Sequence, residues 1–458
     1  MNLAELKNKR ILILGFGKEG RDNLEFLRKL FPGKTIGIAD QKKLSSIFYD
    51  RRKQGIIKKF GKVRLHLGKN YLKALKDYDV IIKSPGIPFK ILPKSVLNKV
   101  TSQTEIFFEN CPGKIVGVTG TKGKSTTTSL ICKILKTAGL KVHLVGNIGK
   151  PVLNLLFSAT PKDVYVYELS SHQLYNLKKS PRIAVFLNIY HEHLDYYRNF
   201  KEYVQAKTNI TRYQTKDDFL IFNSEDKIVK EIAKNSKARK VPIKGKYYSL
   251  NRAAAKAVGK IFKIPQRIIE KAIGEFKPLP HRLELVGTFK GITFYNDALS
   301  TIPETAILAM EALGKRVQTI FLGGFDRRID FKDLAKNILE NKNIKNLILF
   351  PTTGEKIWKD IVRQNKRRGD KRGRVLNHFF VNRAMRTSSS SSPSPRYSAA
   401  QYMKDAVKLA YQHTQKGKIC LLSCASTSFS IFRDYKEKGN LFKKQVFAQA
   451  KTKMEMKQ

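Results

Sequence analysis

"GVTGTKGKSTTTSL", residues 117–130, runs from the apolar stretch "KIV" into "ICKILKTAG". A standard phosphate-binding loop, G-x-x-x-x-G-K-[ST], places its first glycine six residues before the lysine; here that position is Val118 and the nearest glycine is Gly117. The rest of the required chemistry is in place. Gly120, Thr121, Lys122 and Gly123 let backbone amides converge on phosphate, Lys124 brings a point charge, and Ser125, followed by Thr126, brings a hydroxyl for Mg²⁺. The segment from Ser125 predicts a helix with Leu130, Ile131, Ile134 and Leu135 on one face and Gly139 as its stop. Strand, loop and helix in that order predict a nucleotide site.

Two further strands bring acid and imidazole groups to the same region. "VYVYELSSHQL" ends its apolar run at Glu168, and "RIAVFLNIYHEHLD" ends at His191, Glu192, His193 and Asp195. Ends of parallel strands converge on one rim of the sheet, so Glu168 and His193 are candidates to complete one or two Mg²⁺ ions on ATP. Zinc on His191 and His193 lacks a third imidazole or a thiolate nearby in sequence.

The flanking parts alternate strand and helix as well. "RILILG" leads into Gly15-Phe16-Gly17-Lys18-Glu19-Gly20, and the next strand ends at Asp40. This spacing suits a dinucleotide or another diphosphate, and "DYDVIIKSPGIP" adds a second strand-end turn at Ser84, Pro85 and Gly86. From "PLPHRLELVG" onward a strand pair precedes helices and strands in alternation, predicting another doubly wound sheet. The expected fold class is α/β with three domains: a Rossmann-like domain at 1–102, a central P-loop ATPase-type parallel sheet at 103–279, and a Rossmann-like domain at 280–458. The basic run "RQNKRRGDKRGR" and the Ser/Pro-rich "TSSSSSPSPRYS" mark 363–398 as a disordered insertion.

Composition sets outer bounds. The chain has 458 residues, 41% of them apolar, and a formal charge of +52, which attracts nucleotides, phosphorylated substrates or polyanions without choosing among them. Most lysines lie singly or in pairs along helical faces, as on a solvated surface. No apolar run approaches the roughly 20 residues of a membrane span, and the start has no signal-peptide pattern. Four cysteines, Cys111, Cys132, Cys420 and Cys424, fit core thiols in a reduced cytoplasm better than a disulfide framework or a metal site.

Taken in order, "GVTGTKGKST", "GNIG", "ELSSHQL", "HEHLD", "LPHRLE", "YND" and "LLSCASTSFSIFRDYKEKG" resemble the Mur ligases of peptidoglycan synthesis, nearly end to end. In that family the loop reads G-x-T-G-T-x-G-K-[ST], which the opening stretch satisfies. The resemblance, nearest to the glutamate-adding branch, implies ATP-dependent amide synthesis through an acyl phosphate. Its implied substrates are UDP-N-acetylmuramoyl-L-alanine and D-glutamate, with L-glutamate, or the ligation of another Mur or folylpolyglutamate-type ligase, as alternatives. It also implies a cytoplasmic monomer without membrane insertion or specific nucleic-acid binding. Lys124, His193 and Lys207 take the catalytic positions. Ser125, Glu168, His193 and a carbamylated Lys207 take the magnesium positions, carbamylation converting a cation into an anionic ligand. Asn251, Arg282 and Asp297 correspond to ATP contacts. Gly15, Gly17, Gly20, Asp40, Ser84 and Gly86 would hold the uridine diphosphate, with Asn147, Ser170 and His281 around the bound substrate. Thr301, Arg327, Ser428 and Tyr435 would hold the amino acid. Departures from the pattern are Lys122 for an asparagine, Lys18 and Glu19 for an apolar residue and a threonine, Leu299 for a lysine, and Cys424 for a proline. An NAD oxidoreductase would leave the phosphate loop unused, and a basic nucleic-acid-binding P-loop protein would leave "LPHRLE" unused.

Overall fold

The computed structural model describes residues 1–42, 61–148, 152–192, 196–327, 329–367, 375–381, 398–429 and 431–451. It divides into two compact units, Met1–Phe276 and Lys277–Gln458. Among the described residues there are three sheets, two in the first unit and one in the second.

The first sheet has the order β3-β2-β1-β4-β5, all parallel, from β1 (Ile11–Leu14), β2 (Ile36–Asp40), β3 (Val63–Leu67), β4 (Val80–Lys83) and β5 (Val100–Thr101). Every residue of β1 is buried, which is why it reads as an unbroken apolar run. Because β1 lies between β2 and β4, the connections leave it in opposite directions, and the turn from β1 into α1 (Lys18–Leu30) faces the crevice so created. Helix α2 (Gln103–Asn110), capped by the Ser102 side chain on the amide of Glu105, leads to the second sheet.

That sheet has the order β11-β10-β9-β6-β8-β7, again all parallel: β6 (Lys114–Thr119), β7 (Val142–Gly146), β8 (Val164–Glu168), β9 (Ile183–Phe186), β10 (Phe219–Asn223) and β11 (Arg239–Ile243). Its helices are α3 (Lys124–Thr137), α4 (Ser171–Leu174), α5 (Phe200–Arg212), α6 (Lys227–Lys234), α7 (Tyr247–Ile261) and α8 (Gln266–Gly274). The predicted apolar face of α3 is borne out: Leu130, Ile131, Ile134 and Leu135 are fully buried in a cluster with Val258 of α7 and Ile269 of α8. Each such side chain contributes about 1.5–3 kcal/mol relative to exposure. One continuous cluster joins the two sheets of this unit, from Ile13 and Phe26 through Phe107 to Tyr165, Tyr167 and Phe186.

The second unit's sheet has the order β12-β13-β17-β14-β15-β16. β12 (Glu284–Phe289) and β13 (Ile292–Asn296) form an antiparallel hairpin. Its turn residues Lys290 and Gly291 both have positive φ, 52° and 79°, which matches the right-handed twist of the two strands. β14 (Val317–Gly324), β15 (Asn346–Thr352), β16 (Asn377–Phe380) and β17 (Ile419–Leu422) pair in parallel. The helices are α9 (Pro303–Leu313), α10 (Lys332–Glu340), α11 (Thr353–Arg367), α12 (Ala399–His413) and α13 (Tyr435–Lys451).

The reading of 363–398 as a disordered insertion needs correction in part. Residues 363–367 finish α11, and β16 within it pairs with β15. The strand is held by aromatic contacts: His378 stacks on Trp358 at 3.8 Å and Phe379 on His413 at 4.2 Å. Residues 368–374 and 382–397 lie outside the described residues. Cys420 and Cys424 are fully buried thiols, as expected, and burial pushes both above the ordinary thiol range.

Candidate functional site

In the second sheet β6 lies between β8 and β9, so the loop after β6, Glu168 at the end of β8, and the Asn188–Glu192 segment after β9 open at one edge. Gly120 and Gly123 have φ of +153° and +86°. A Cβ on Gly123 would lie 2.4 Å from Asn251 Oδ1, so the loop descends onto that side chain. Asn251 also accepts from Thr127 Oγ1 at 3.1 Å, which fixes its amide beneath the loop. Gly117 has a different role: inside β6, its missing Cβ would meet Pro181 Cγ at 2.6 Å. It is a packing glycine and takes no part in the phosphate turn.

Lys124 Nζ, at the start of α3, donates to the carbonyls of Gly120 and Thr121, both at 2.9 Å. Thr121 is anchored by its hydroxyl to Tyr203 Oη at 2.8 Å and by its amide to the carbonyl of Asn188 at 2.9 Å. Asn188 clasps the backbone of Lys122, accepting from its amide at 2.8 Å and donating to its carbonyl at 3.1 Å. The Lys122 ammonium pairs with Glu192 at 2.9 Å, both side chains being largely buried. Thus Lys122 is tied to the β9 exit and is not one of the scattered surface cations.

Lys207 of α5 is 1% exposed, and its Nζ donates to Gly120 O at 2.8 Å and lies 3.4 Å from Thr119 Oγ1. Burial, then the nearby Lys124, lower its pKa well below the ordinary lysine range, with Glu192 and Glu168 opposing and Lys122 adding to the shift. Glu168 is 1% exposed and accepts from Asn147 Nδ2 at 2.9 Å through Oε1; its Oε2 is buried without a hydrogen-bond partner among the described residues. Ser125 is 2% exposed at the same edge. Among the described residues no three His, Cys, Asp or Glu groups gather into a metal cage. Mg²⁺ rarely uses one, since it keeps waters and substrate phosphates as ligands. A carboxylate oxygen with no partner among the described residues, beside a phosphate loop, with a buried hydroxyl and an amine whose pKa is lowered, fits such an ion. His193 lies outside the described residues. Ser170 caps α4 in a reciprocal pair with Gln173.

At the first sheet, Gly15 has φ +92°, Ser84 Oγ donates to Gly15 O at 2.9 Å, and a Cβ on Gly20 would lie 2.1 Å from Gly15 O. Gly17 caps α1, and a Cβ on Gly17 or Gly86 would meet nothing. Asp40 accepts the amides of Phe16 at 2.7 Å and Lys42 at 2.8 Å. Gly15, Gly17, Gly20, Asp40 and Ser84 therefore meet at one edge, as their positions in sequence predicted.

In the second unit, His281, in the left-handed region at φ 64°, meets Asn296 Nδ2 at 2.9 Å through Nδ1, and its ring lies edge-on to Tyr435. Burial, then Lys443, lowers its pKa. Asp297 at the end of β13 accepts from Leu283 N at 3.0 Å, Ser423 Oγ at 3.1 Å and Ser300 Oγ. Arg282 and Thr301 stand on the flanking turns. Arg327 lies over the exposed ring of Phe429, 5.9 Å from its centre, while Ser428 Oγ is buried without a partner among the described residues.

Asn188, Glu192 and Tyr203 were not singled out as site residues from sequence. Tyr203 carried a signal: with Ala206, Lys207 and Ile210 it repeats at helical spacing along the buried face of α5.

A phosphate-loop sheet in the middle of the chain, preceded by a Rossmann-like sheet and followed by another with a hairpin edge, defines ligases of the Mur class. The model of the Mur ligase middle domain matches residues 118–289. A UDP-N-acetylmuramoylalanine–D-glutamate ligase from Acetivibrio thermocellus is 32% identical, covering 96% of this chain and 97% of its own. One from Clostridium tetani is 30% identical over 95% and 96%. The chain belongs to this family, the UDP-N-acetylmuramoylalanine–D-glutamate ligases. Among solved structures, a pseudomurein peptide ligase type C from Methanothermus fervidus has a TM-score of 0.56 at 18% identity, covering 97% of this chain and all of its own. The MurF ligase from Thermotoga maritima in complex with ADP has a TM-score of 0.56 at 15% identity, over 91% and 96%. Both share the fold.

Proposed function

We propose that this chain joins D-glutamate to UDP-N-acetylmuramoyl-L-alanine at the expense of ATP, in the cytoplasm and as a monomer, through domains at 1–102, 103–279 and 280–458. The observation that carries the reading is the buried Glu168 Oε2 beside the phosphate loop, which has no hydrogen-bond partner among the described residues. A buried carboxylate oxygen is costly unless a cation or donor meets it.

Amides of residues 120–125 and the N-terminus of α3 would cradle the ATP phosphates, with Lys124 turning from the loop carbonyls to phosphate oxygen. Ser125, Glu168, His193 and carbamylated Lys207 would hold Mg²⁺, which supplies charge neutralisation on the transferring phosphoryl group. Carbamylation needs an uncharged amine, and burial of Lys207 beside Lys124 shifts its titration in that direction. The alanyl carboxylate oxygen attacks the γ-phosphorus and ADP leaves; the glutamate amine then attacks the acyl carbon and phosphate departs. The chain's contribution is positioning and a fixed electrostatic field. Asn251, Arg282 and Asp297 would serve ATP. Gly15, Gly17, Gly20, Asp40, Ser84 and Gly86 would take the uridine diphosphate, Asn147, Ser170 and His281 the rest of that substrate, and Thr301, Arg327, Ser428 and Tyr435 the carboxylates of glutamate.

The test is an amino-acid panel of both glutamate enantiomers and lysine. Phosphate release is expected only when ATP, the nucleotide sugar and D-glutamate are present together. Equal turnover with single-stranded nucleic acid alone would overturn the reading, and turnover with L-glutamate would reassign the stereochemistry.

A further inference from the structure

A small cavity lies behind the glycine turn of the first sheet, lined in part by Glu19, Lys83, Phe89, Thr101, His172 and Gln173. Glu19 is the second residue of α1, and Gln173 Nε2, reaching over from α4, donates to its Oε1 at 3.1 Å. Lys83, the last residue of β4, is 3% exposed; its Nζ donates to Ile87 O at 2.8 Å and Ser84 O at 3.1 Å and lies 4.5 Å from the Phe89 ring centre. A carboxylate in the first turn of a helix uses the same electrostatic field that an anionic ligand would. An acid here therefore competes with a diphosphate unless its charge is removed or balanced.

We propose that Glu19, with Lys83 and Gln173, is a further determinant of nucleotide-sugar binding, in which the diphosphate is accepted at the turn together with protons taken from solvent by this pair. The inference rests on the reading of the turn as the nucleotide-sugar site.

Burial pushes Glu19 up to about 7 against the opposing Gln173 and Lys83, and burial pushes Lys83 down to about 7 against Glu19. Lys18 and Asp22 face Glu19 from α1, Tyr167 couples to it from β8, and Glu105 and His172 line the same cavity. As pH rises through neutrality both members lose a proton, so the pair passes from net positive to net negative. An arriving diphosphate favours the protonated forms of both.

The test is calorimetric titration of the full-length protein with UDP-N-acetylmuramoyl-L-alanine, whose doubly esterified diphosphate does not titrate near neutrality. Buffers of different ionisation enthalpy report the protons taken up. For the wild type we expect proton uptake and a Kd that rises roughly 3- to 30-fold from about pH 6.5 to 8.5. Glu19→Gln, which keeps an amide for Gln173, should bind more tightly than wild type at the upper pH, with a shallower slope and fewer protons. Lys83→Met should bind more weakly at the lower pH, also with a shallower slope. Melting curves establish that both variants are folded. A proton count and slope in Glu19→Gln equal to wild type would overturn the inference alone. A folded wild type that binds no nucleotide sugar at any pH would overturn the reading of the turn and the inference with it.

Discussion

Asn147 Nδ2 donates to Glu168 Oε1 at 2.9 Å, and this bond determines which carboxylate oxygen is left for a ligand. If Glu168 holds Mg²⁺, Asn147 acts by orienting it. Asn147→Ala should then lower kcat by about 10- to 100-fold, with partial recovery at high Mg²⁺. Initial rates over a magnesium series check this; a loss insensitive to magnesium would count against the positioning role.

Lys207→Ala should reduce turnover more than about 10³-fold, because under the proposed mechanism it removes one of the groups that would hold Mg²⁺. Excess bicarbonate should not help, whereas a small carboxylic acid in solution should restore part of the rate. Wild-type protein given ¹³C-bicarbonate should show a carbamate carbon signal that the variant lacks. In bicarbonate-free buffer, where the amine is unmodified, Lys207→Met should melt at a higher temperature than wild type near neutral pH. The unfolded chain binds a proton at this lysine that the buried amine resists, so wild-type stability at this site rises with pH.

Two glycines of one motif should respond differently to alanine. Gly123→Ala meets both an unfavourable φ and the Asn251 side chain, and is expected to abolish measurable nucleotide binding. Gly117→Ala overpacks β6 against Pro181 and should cost about 1–3 kcal/mol of stability while leaving nucleotide affinity within a few-fold. Denaturant unfolding and nucleotide titration of both variants separate the two roles.

The two lysines of the loop should also separate. Lys124→Ala is expected to cost more than about 100-fold in kcat/KM for ATP. Since Lys122 is tied to Glu192, Lys122→Asn should change the KM for ATP by only about threefold. A loss comparable to that of Lys124→Ala would make Lys122 a second phosphate cation.

Acid stability should depend on Asp163, far in sequence from the phosphate loop. Its burial alone would raise its pKa, but hydrogen bonds from Thr160, His143 and Lys141 more than offset this and hold it well below the usual carboxylate range. A depressed carboxylate contributes stability above its unfolded pKa, near about 3.9, which is lost as pH falls through the folded value. Asp163→Asn should therefore cost about 1–3 kcal/mol near pH 7 and flatten the acid limb of a stability-versus-pH curve.

Much of the fold was legible in the sequence because its strands are covered on both faces. "ILIL", "VII" and "IAVF" are unbroken apolar runs, and the polar residues just beyond them sit where a switch in strand order opens a crevice. Strand β16 was not legible: "NHFF" is short, lies between basic and Ser/Pro-rich segments, and owes its place to Trp358 and His413. The side chains that brace the loop from behind were hidden for a similar reason. Glu192 meets Lys122 and Tyr203 meets Thr121 across 70 and 82 residues, and spacing along a chain does not encode such pairings.

The place of β17 has a consequence for synthesis. This strand, near the end of the chain, sits between β13 and β14, which are made more than 90 residues earlier. Until Ile419–Leu422 leaves the ribosome, two apolar strand edges of the second unit stay open, while the unit before it can already be complete. The nascent protein should therefore pass through a stage in which a finished front half trails an adhesive, unfinished sheet. That interval is when a chaperone has most to protect.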